Sequence, residues 1–199
     1  DLFKPLYTFW LMSKEEPVAL QALIKTYQPM TKEKFAAIRE SILLDLDPIS
    51  VAAKYFVINR SSFSGSTFCG GYSAESGEKR FTENSVKKIG ALDLKGLTLE
   101  NKDCLEFIHL HPQTNDTILF LDPPYYISTY IYGRDGDMHE GFNHVGLSEV
   151  LKGRTDWVLC YNDCQYIRDL YKGCKIEKVS WAYGMNSTKE SSEVLIFPN

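Results

Sequence analysis

The most constraining feature of this 199-residue chain is Asp122-Pro123-Pro124-Tyr125, set directly behind the apolar run Thr117-Ile118-Leu119-Phe120-Leu121. A short apolar run closed by a turn signal reads as a buried strand. The double proline stops that strand, because neither ring nitrogen carries a hydrogen to give to a neighbouring strand. An acidic and an aromatic side chain are left at its carboxyl end, which in open α/β sheets is where ligands sit. A carboxylate that accepts hydrogen bonds, two prolines without donors and a flat ring together suit an exocyclic amine on a planar base. The plain alternative is a strand ending in a Pro-Pro turn, with Asp122 capping backbone and Tyr125 packed.

The rest of the chain narrows the class. At 44% hydrophobic residues it can build one substantial core and a small subdomain. No run approaches the roughly 18 apolar residues that span a membrane, and the opening residues do not read as a signal peptide. Five cysteines, Cys69, Cys104, Cys160, Cys164 and Cys174, are odd in number and form no Cys-x-x-Cys pair. Reduced thiols in a cytoplasmic protein are therefore expected. Cys160 and Cys164 with His109 and His111 fit no ordinary zinc spacing, so no metal is expected and these residues read as structural. The net charge of −4 argues against a generic nucleic-acid binder. Within residues 54–95, however, Lys54, Arg60, Lys79, Arg80, Lys87, Lys88 and Lys95 stand against Glu75, Glu78, Glu83 and Asp93, leaving +3. A phosphate-facing surface and a solvated mixed-charge face both fit that excess.

Two textures divide the chain. Up to about Ile58, apolar residues recur at three- and four-residue spacing, as in Leu20, Leu23, Ile24 and Tyr27, then Phe35, Ile38, Ile42 and Leu43. This predicts three or four short helices, punctuated by Pro5, Pro17, Pro29 and Pro48. Leu2, Phe3, Leu6, Tyr7, Phe9 and Trp10 read as a buried helix face that begins in mid-pattern, which predicts further sequence upstream of Asp1. Residues 59–85 read as loops with a hairpin, followed by a short helix from Ser85 to Ala91. From Leu97 strands and helices alternate: strand 97–99, a helix after Asp103, the strand ending at Asp122, and a long polar loop to Gly141. A helix over 143–151, a strand over 157–161, a helix over 164–171 and strands over 176–180 and 193–197 follow. The pattern predicts an α/β fold with a doubly wound, mostly parallel sheet and an antiparallel edge hairpin at the C-terminus.

Several segments, in order along nearly the whole chain, resemble the Dam-type N6-adenine-specific DNA methyltransferases. They are Asn59-Arg60-x-x-Phe63-x-Gly65, Asp103, Asp122-Pro123-Pro124-Tyr125, Phe142-x-His144-x-x-Leu147, Trp157-Val158-Leu159-Cys160-Tyr161-Asn162-Asp163 and Glu193-Val194-Leu195-Ile196. The tetrapeptide is the specific element, being the mark of amino-methyl transfer; the other segments persuade by their joint order. The resemblance implies a methyltransferase catalytic domain in residues 1–14 and 96–199, with a helical target-recognition subdomain in 15–95. It implies S-adenosylmethionine as methyl donor, double-stranded DNA as partner, and a monomer free of metal and membrane. Such enzymes commonly serve restriction–modification or genome marking.

The resemblance also assigns roles. Asp122 accepts one hydrogen of the adenine amine and the Pro123 carbonyl the other, Pro124 continues the donor-free turn, and Tyr125 stacks on a base swung out of the duplex. Asp103 takes the adenine amine of the donor and Asp1 its ribose hydroxyls, with Asp122 beside them. Asn59, Arg60 and Phe63 contact DNA, and Tyr126, Tyr161 and Asn162 line the base pocket. The loop after Tyr126, with Tyr130, Tyr132, Arg134 and Gly136, closes over the base or touches DNA. Each role has a plain counterpart: Asp103 as a helix cap, Asp1 as a chain end, Asn59 to Phe63 as an ordinary turn, Tyr161 to Asp163 as a strand end that merely caps the next helix.

The family's Gly-rich donor loop would precede Asp1, and Gly70-Gly71 and Gly133-x-x-Gly136 follow no suitable strand. The roles are thus implied for the complete protein. Two other readings stay open: methyl transfer to cytosine, RNA or a protein glutamine, whose enzymes usually carry Ser or Asn where this chain has Asp122, and a non-catalytic DNA-binding relic.

Overall fold

In a computed structural model, which describes residues 1–126, 141–179 and 192–199, the first hundred residues are organised by one apolar helix. Helix α4 (Pro48–Ser61) starts at a cap, the Asp47 carboxylate accepting from the Ile49 N–H, with proline in the first helical position where no donor is needed. Its Val51, Ala52, Ala53, Phe56, Val57 and Ile58 are all buried. Two alanines in sequence let neighbouring helices approach closely. Against α4 pack α1 (Lys4–Glu15), α2 (Pro17–Thr26) and α3 (Lys32–Ser41). They present Phe9 and Met12, Leu20 and Ile24, and Phe35 and Ile38, the expected three- and four-residue spacing.

The expected face of α1 is narrower than the sequence suggested. Phe9 is buried and Phe3 packs on the core, but Leu2 and Trp10 remain exposed because the buried stripe runs through Pro5, Phe9 and Met12. Beyond α4 come a 3-10 turn (Phe63–Gly65), α5 (Ala74–Arg80) and α6 (Glu83–Gly90). The hairpin expected there is reduced to one bridge between Ser62 and Tyr72. Helix α5 was not expected, since Gly77 interrupts it; the Ser73 hydroxyl, accepting from the Ser76 N–H, starts it. The strand expected at 97–99 does not form. Gly96 takes φ +77°, the Leu97 N–H closes a turn onto the Leu94 carbonyl, and the Lys14 ammonium takes the Leu97 carbonyl.

The described residues divide at this point into two compact units, Asp1 to Asp103 and Cys104 onward. The second unit is α/β. Its elements are α7 (Cys104–Leu110), β1 (Leu119–Leu121), α8 (His144–Leu151), β2 (Trp157–Asn162), α9 (Gln165–Leu170), β3 (Lys175–Val179) and β4 (Glu193–Phe197). The sheet order is β1-β2-β4-β3. β1 and β2 are parallel, with Leu119 opposite Trp157 and Leu121 opposite Leu159; β4 runs antiparallel to both β2 and β3. One face buries Leu159, Tyr161, Val194 and Ile196 against Ile108 of α7, Leu147 and Leu151 of α8, and Ile167 of α9. Entry into β1 is fixed by side chains. Gln113 exchanges two hydrogen bonds with Thr155, and Arg154 pairs through two nitrogens with Asp156 while donating to the His111 carbonyl.

In the first unit the Asp45 carboxylate accepts from Lys54 Nζ at 2.6 Å, Ser50 Oγ at 2.5 Å and the Asp47 N–H at 3.0 Å. The lysine first, then the serine, hold its pKa at about 2. Because the folded value lies below the unfolded one, the stability it confers is present above pH about 4 and is lost as pH falls toward 2. Asp45→Asn should cost about 1–2 kcal/mol at pH 7. Thermal melts of both proteins should converge as the pH is lowered through that window.

Candidate active site

Parallel pairing of β1 with β2 brings the carboxyl ends of two strands side by side. From the first emerge Asp122, Pro123, Pro124, Tyr125 and Tyr126; the second ends in Tyr161 and Asn162. Antiparallel β4 begins at the same end, with Glu193 opposite Asn162. Seven of the residues and one acid that the sequence had given no role are thus assembled by sheet register alone.

Polar contacts lock the assembly. Tyr125 Oη lies 3.2 Å from Cys160 Sγ, and that thiol faces Glu193 Oε2 at 3.9 Å. Glu193 is buried, so an acid is held behind the turn rather than in solvent. Burial above all raises the Tyr125 and Cys160 pKa values, keeping both groups protonated. Asp122 remains open to solvent as a residue, yet crowding around its carboxyl, and then the charge of Glu193, raise its pKa above the usual carboxylate range. The result is a carboxylate at the mouth of the site with a heightened affinity for protons and hydrogen-bond donors.

Beside it stands an aromatic cluster. The Tyr126 ring stacks on Tyr166 with centroids 4.1 Å apart at 21°, and meets His144 edge-on at 5.4 Å. His144, the first residue of α8, hydrogen-bonds through Nδ1 to Tyr161 Oη at 2.7 Å, and Phe142 packs edge-on against its ring. Asn162 donates to the Tyr126 carbonyl at 2.8 Å, while its own Oδ1 is buried without a partner. Tyr161 is fully buried and supports the site from below. Asp163 does not cap α9; it pairs with Arg168 at 2.6 Å.

The remaining candidates lie in the first unit. Asp1 caps the chain's own start, its Oδ1 accepting from the Phe3 N–H at 2.7 Å, and Asn101 ties the Asp1 and Leu2 carbonyls to the segment that ends at Asp103. Asp103 immediately precedes α7, the position of a helix cap. Asn59 and Arg60 occupy the last turn of α4 instead of a loop, and Phe63, 68% exposed, opens the 3-10 turn. Tyr130, Tyr132, Arg134 and Gly136 lie outside the described residues. Among the described residues, no three His, Cys, Asp or Glu side chains converge as a metal cage.

Sequence reading gave no role to Glu193, Cys160, His144 or Tyr166. Glu193 had a visible signal, a charge leading the otherwise apolar strand Glu193-Val194-Leu195-Ile196-Phe197. Tyr166 had none, because its stacking on Tyr126 is made only by the fold.

The raised Asp122 pKa carries a stability prediction. A carboxyl that favours its proton in the folded state stabilises at low pH and loses that contribution as pH rises through the folded value. Asp122→Asn should therefore melt above the wild-type protein at pH 7, with the difference shrinking below pH about 4, as calorimetry over that range would record.

A search of curated proteins finds no match to the chain. Residues 1–185, all but the last strand and its flanks, match the D12 class N6 adenine-specific DNA methyltransferases. The chain belongs to that family, enzymes that transfer a methyl group from S-adenosylmethionine to the N6 amine of adenine in DNA.

Proposed function

We propose that Asp122, Pro123, Pro124 and Tyr125 form the catalytic centre, acting on an adenine swung out of double-stranded DNA. The observation that carries this reading is the register of β1 on β2, which joins the tetrapeptide to Tyr161 and Asn162 at one end of the sheet. Asp122 accepts one hydrogen of the amine and the Pro123 carbonyl the other, drawing the nitrogen lone pair out of ring conjugation. Its raised pKa suits Asp122 to hold the proton that the amine releases. Pro124 brings no competing donor. Tyr125, its hydroxyl engaged by Cys160, presents its ring to the base, and Tyr126, fixed by Asn162, extends that surface.

S-Adenosylmethionine supplies a methyl group already activated on a sulfonium. Its amine and ribose hydroxyls require acceptors, and the resemblance assigns Asp103 to the first, Asp1 to the second and Asp122 beside them; all three are exposed residues. Little covalent chemistry remains for the protein beyond positioning and electrostatics.

By chemistry, we assign catalysis to 1–14 and 96–199 and target recognition to 15–95, where Asn59, Arg60 and Phe63 face DNA; the packing units divide instead at Asp103. The sheet is read as the four-stranded described part of a doubly wound, mostly parallel one. Five cysteines outside any disulfide support a cytoplasmic location, and we take the enzyme to act as a monomer. No described helix is long and apolar enough to cross a membrane.

Labelled S-adenosylmethionine incubated with unmethylated DNA should place label in N6-methyladenine after digestion to nucleosides. Asp122→Ala should reduce the rate by at least about 100-fold while leaving the circular dichroism spectrum unchanged. Undiminished transfer by that variant would overturn the assignment.

A further inference from the structure

The first unit holds two guanidinium groups that folding alone does not explain. Arg60, on the last turn of α4, lies over the Phe56 ring at 5.3 Å, and its Nε is shielded from water without a hydrogen-bond partner. Arg80, the last residue of α5, is half-buried close enough to Arg60 that burial, and then the charge of Arg60, lower its pKa. Neither belongs to an ion pair among the described residues, whereas the half-buried Lys54 of the same unit has Asp45 at 2.6 Å. Two like charges partly withdrawn from water, without a carboxylate between them, oppose folding.

A structural explanation accounts for part of this. Arg80 Nη2 donates to the Asn59 carbonyl at 3.0 Å, satisfying one of the last carbonyls of α4 where a cation is favoured. The Asn59 side chain in turn donates to the Gly65 carbonyl, so Arg80 braces the turn. The turn is shaped around it: Gly65 has φ +73°, and a Cβ there would sit 2.4 Å from Arg80 Nη2. None of this uses Arg60, which could be replaced by an apolar residue over Phe56 at no loss of hydrogen bonding. Nor does it explain why the second cation is brought beside the first.

Paired guanidinium forks match the oxygens of a tetrahedral oxyanion, which would supply the missing negative charge. The exposed Phe63 opens the turn between them, and the surrounding stretch is net basic. Resting on the reading that residues 59–65 face DNA, we propose that Arg60 and Arg80 together bind one backbone phosphodiester of the DNA. Arg80 thereby joins the substrate-binding residues.

The test is the salt dependence of binding to a short duplex, followed by fluorescence anisotropy between about 50 and 200 mM salt. Arg60→Ala and Arg80→Ala should each weaken binding. The double variant should weaken it at least about 10-fold and flatten the plot of log affinity against log salt by about 0.9, the loss of one phosphate contact and not two. Arg80→Lys keeps the charge without the fork, so its affinity should fall while its slope stays, and it covers the case in which Arg80→Ala loosens the turn. A folded double variant with wild-type affinity and slope overturns the proposal, and if the wild type still methylates adenine the reading of the catalytic site stands. A wild-type protein that neither binds duplex nor methylates it overturns both. Arginine Nε resonances that move with inorganic phosphate but not with duplex would assign the pair to a free anion and overturn the DNA assignment.

Discussion

The parallel pairing of β1 with β2 is the constraint on which the second unit depends. Side chains alternate across a strand, so a slip of one residue would turn Leu119 and Leu121 away from the helices and put Phe120 in their place. The apolar face forbids it, with Leu159, Tyr161 and Ile196 already filling the space beneath α8 and α9. The anchors at Gln113, Thr155 and Arg154 forbid it a second time, from the other end of the strand. Register then decides which side chains meet: the residue after Leu121 is the carboxylate proposed for catalysis, and this pairing sets it at the same end of the sheet as Cys160 and Asn162.

The first unit answers to a different physics. Its organiser is a helix buried on nearly all sides, and alanines at 52 and 53 trade side-chain volume for close approach of α1, α2 and α3. Its last turn is where the sequence changes character, from aliphatic to Asn, Arg and Ser, and there the helix hands over to a turn held by side chains. The Ser61 and Ser62 backbone groups meet Ser73 and Tyr72, and Arg80 reaches back to Asn59. A surface turn built this way keeps its shape without a core of its own.

What was legible in the sequence follows from these two regimes. Four helices before Ile58 could be read because their buried positions repeat at helical spacing and three begin at or next to a proline. Strands β1, β2 and β4 could be read because each is a short, largely apolar run between polar breaks, whereas in β3 Lys175, Glu177 and Lys178 are exposed and only Ile176 and Val179 are partly buried. Leu97 to Leu99 looked like another such apolar run, but Gly96 and the solvent around Leu97 leave nothing for a strand to pair with. The residues carrying the tetrapeptide were plain; those that orient it were not. Cys160 and Glu193 matter only through contacts across β2 and β4, and sequence spacing has no access to a distance between strands 33 residues apart.

One pattern unites the two units. The second places the Glu193 and Asp122 carboxyls within reach of each other's charge, and the first does the same with the Arg60 and Arg80 guanidiniums. A sequence selected for stability alone would separate or neutralise both pairs, as it neutralises Asp45 with Lys54 and Asp156 with Arg154. On the readings proposed above, the acid pair makes the outer carboxylate a better acceptor for an amine hydrogen, and the basic pair offers two guanidinium groups to an oxyanion. Each pair is unfavourable in the free protein, and each would be relieved by the opposite partial charge, an amine at one and a phosphate at the other. DNA carries both, and an enzyme of this family must recognise both.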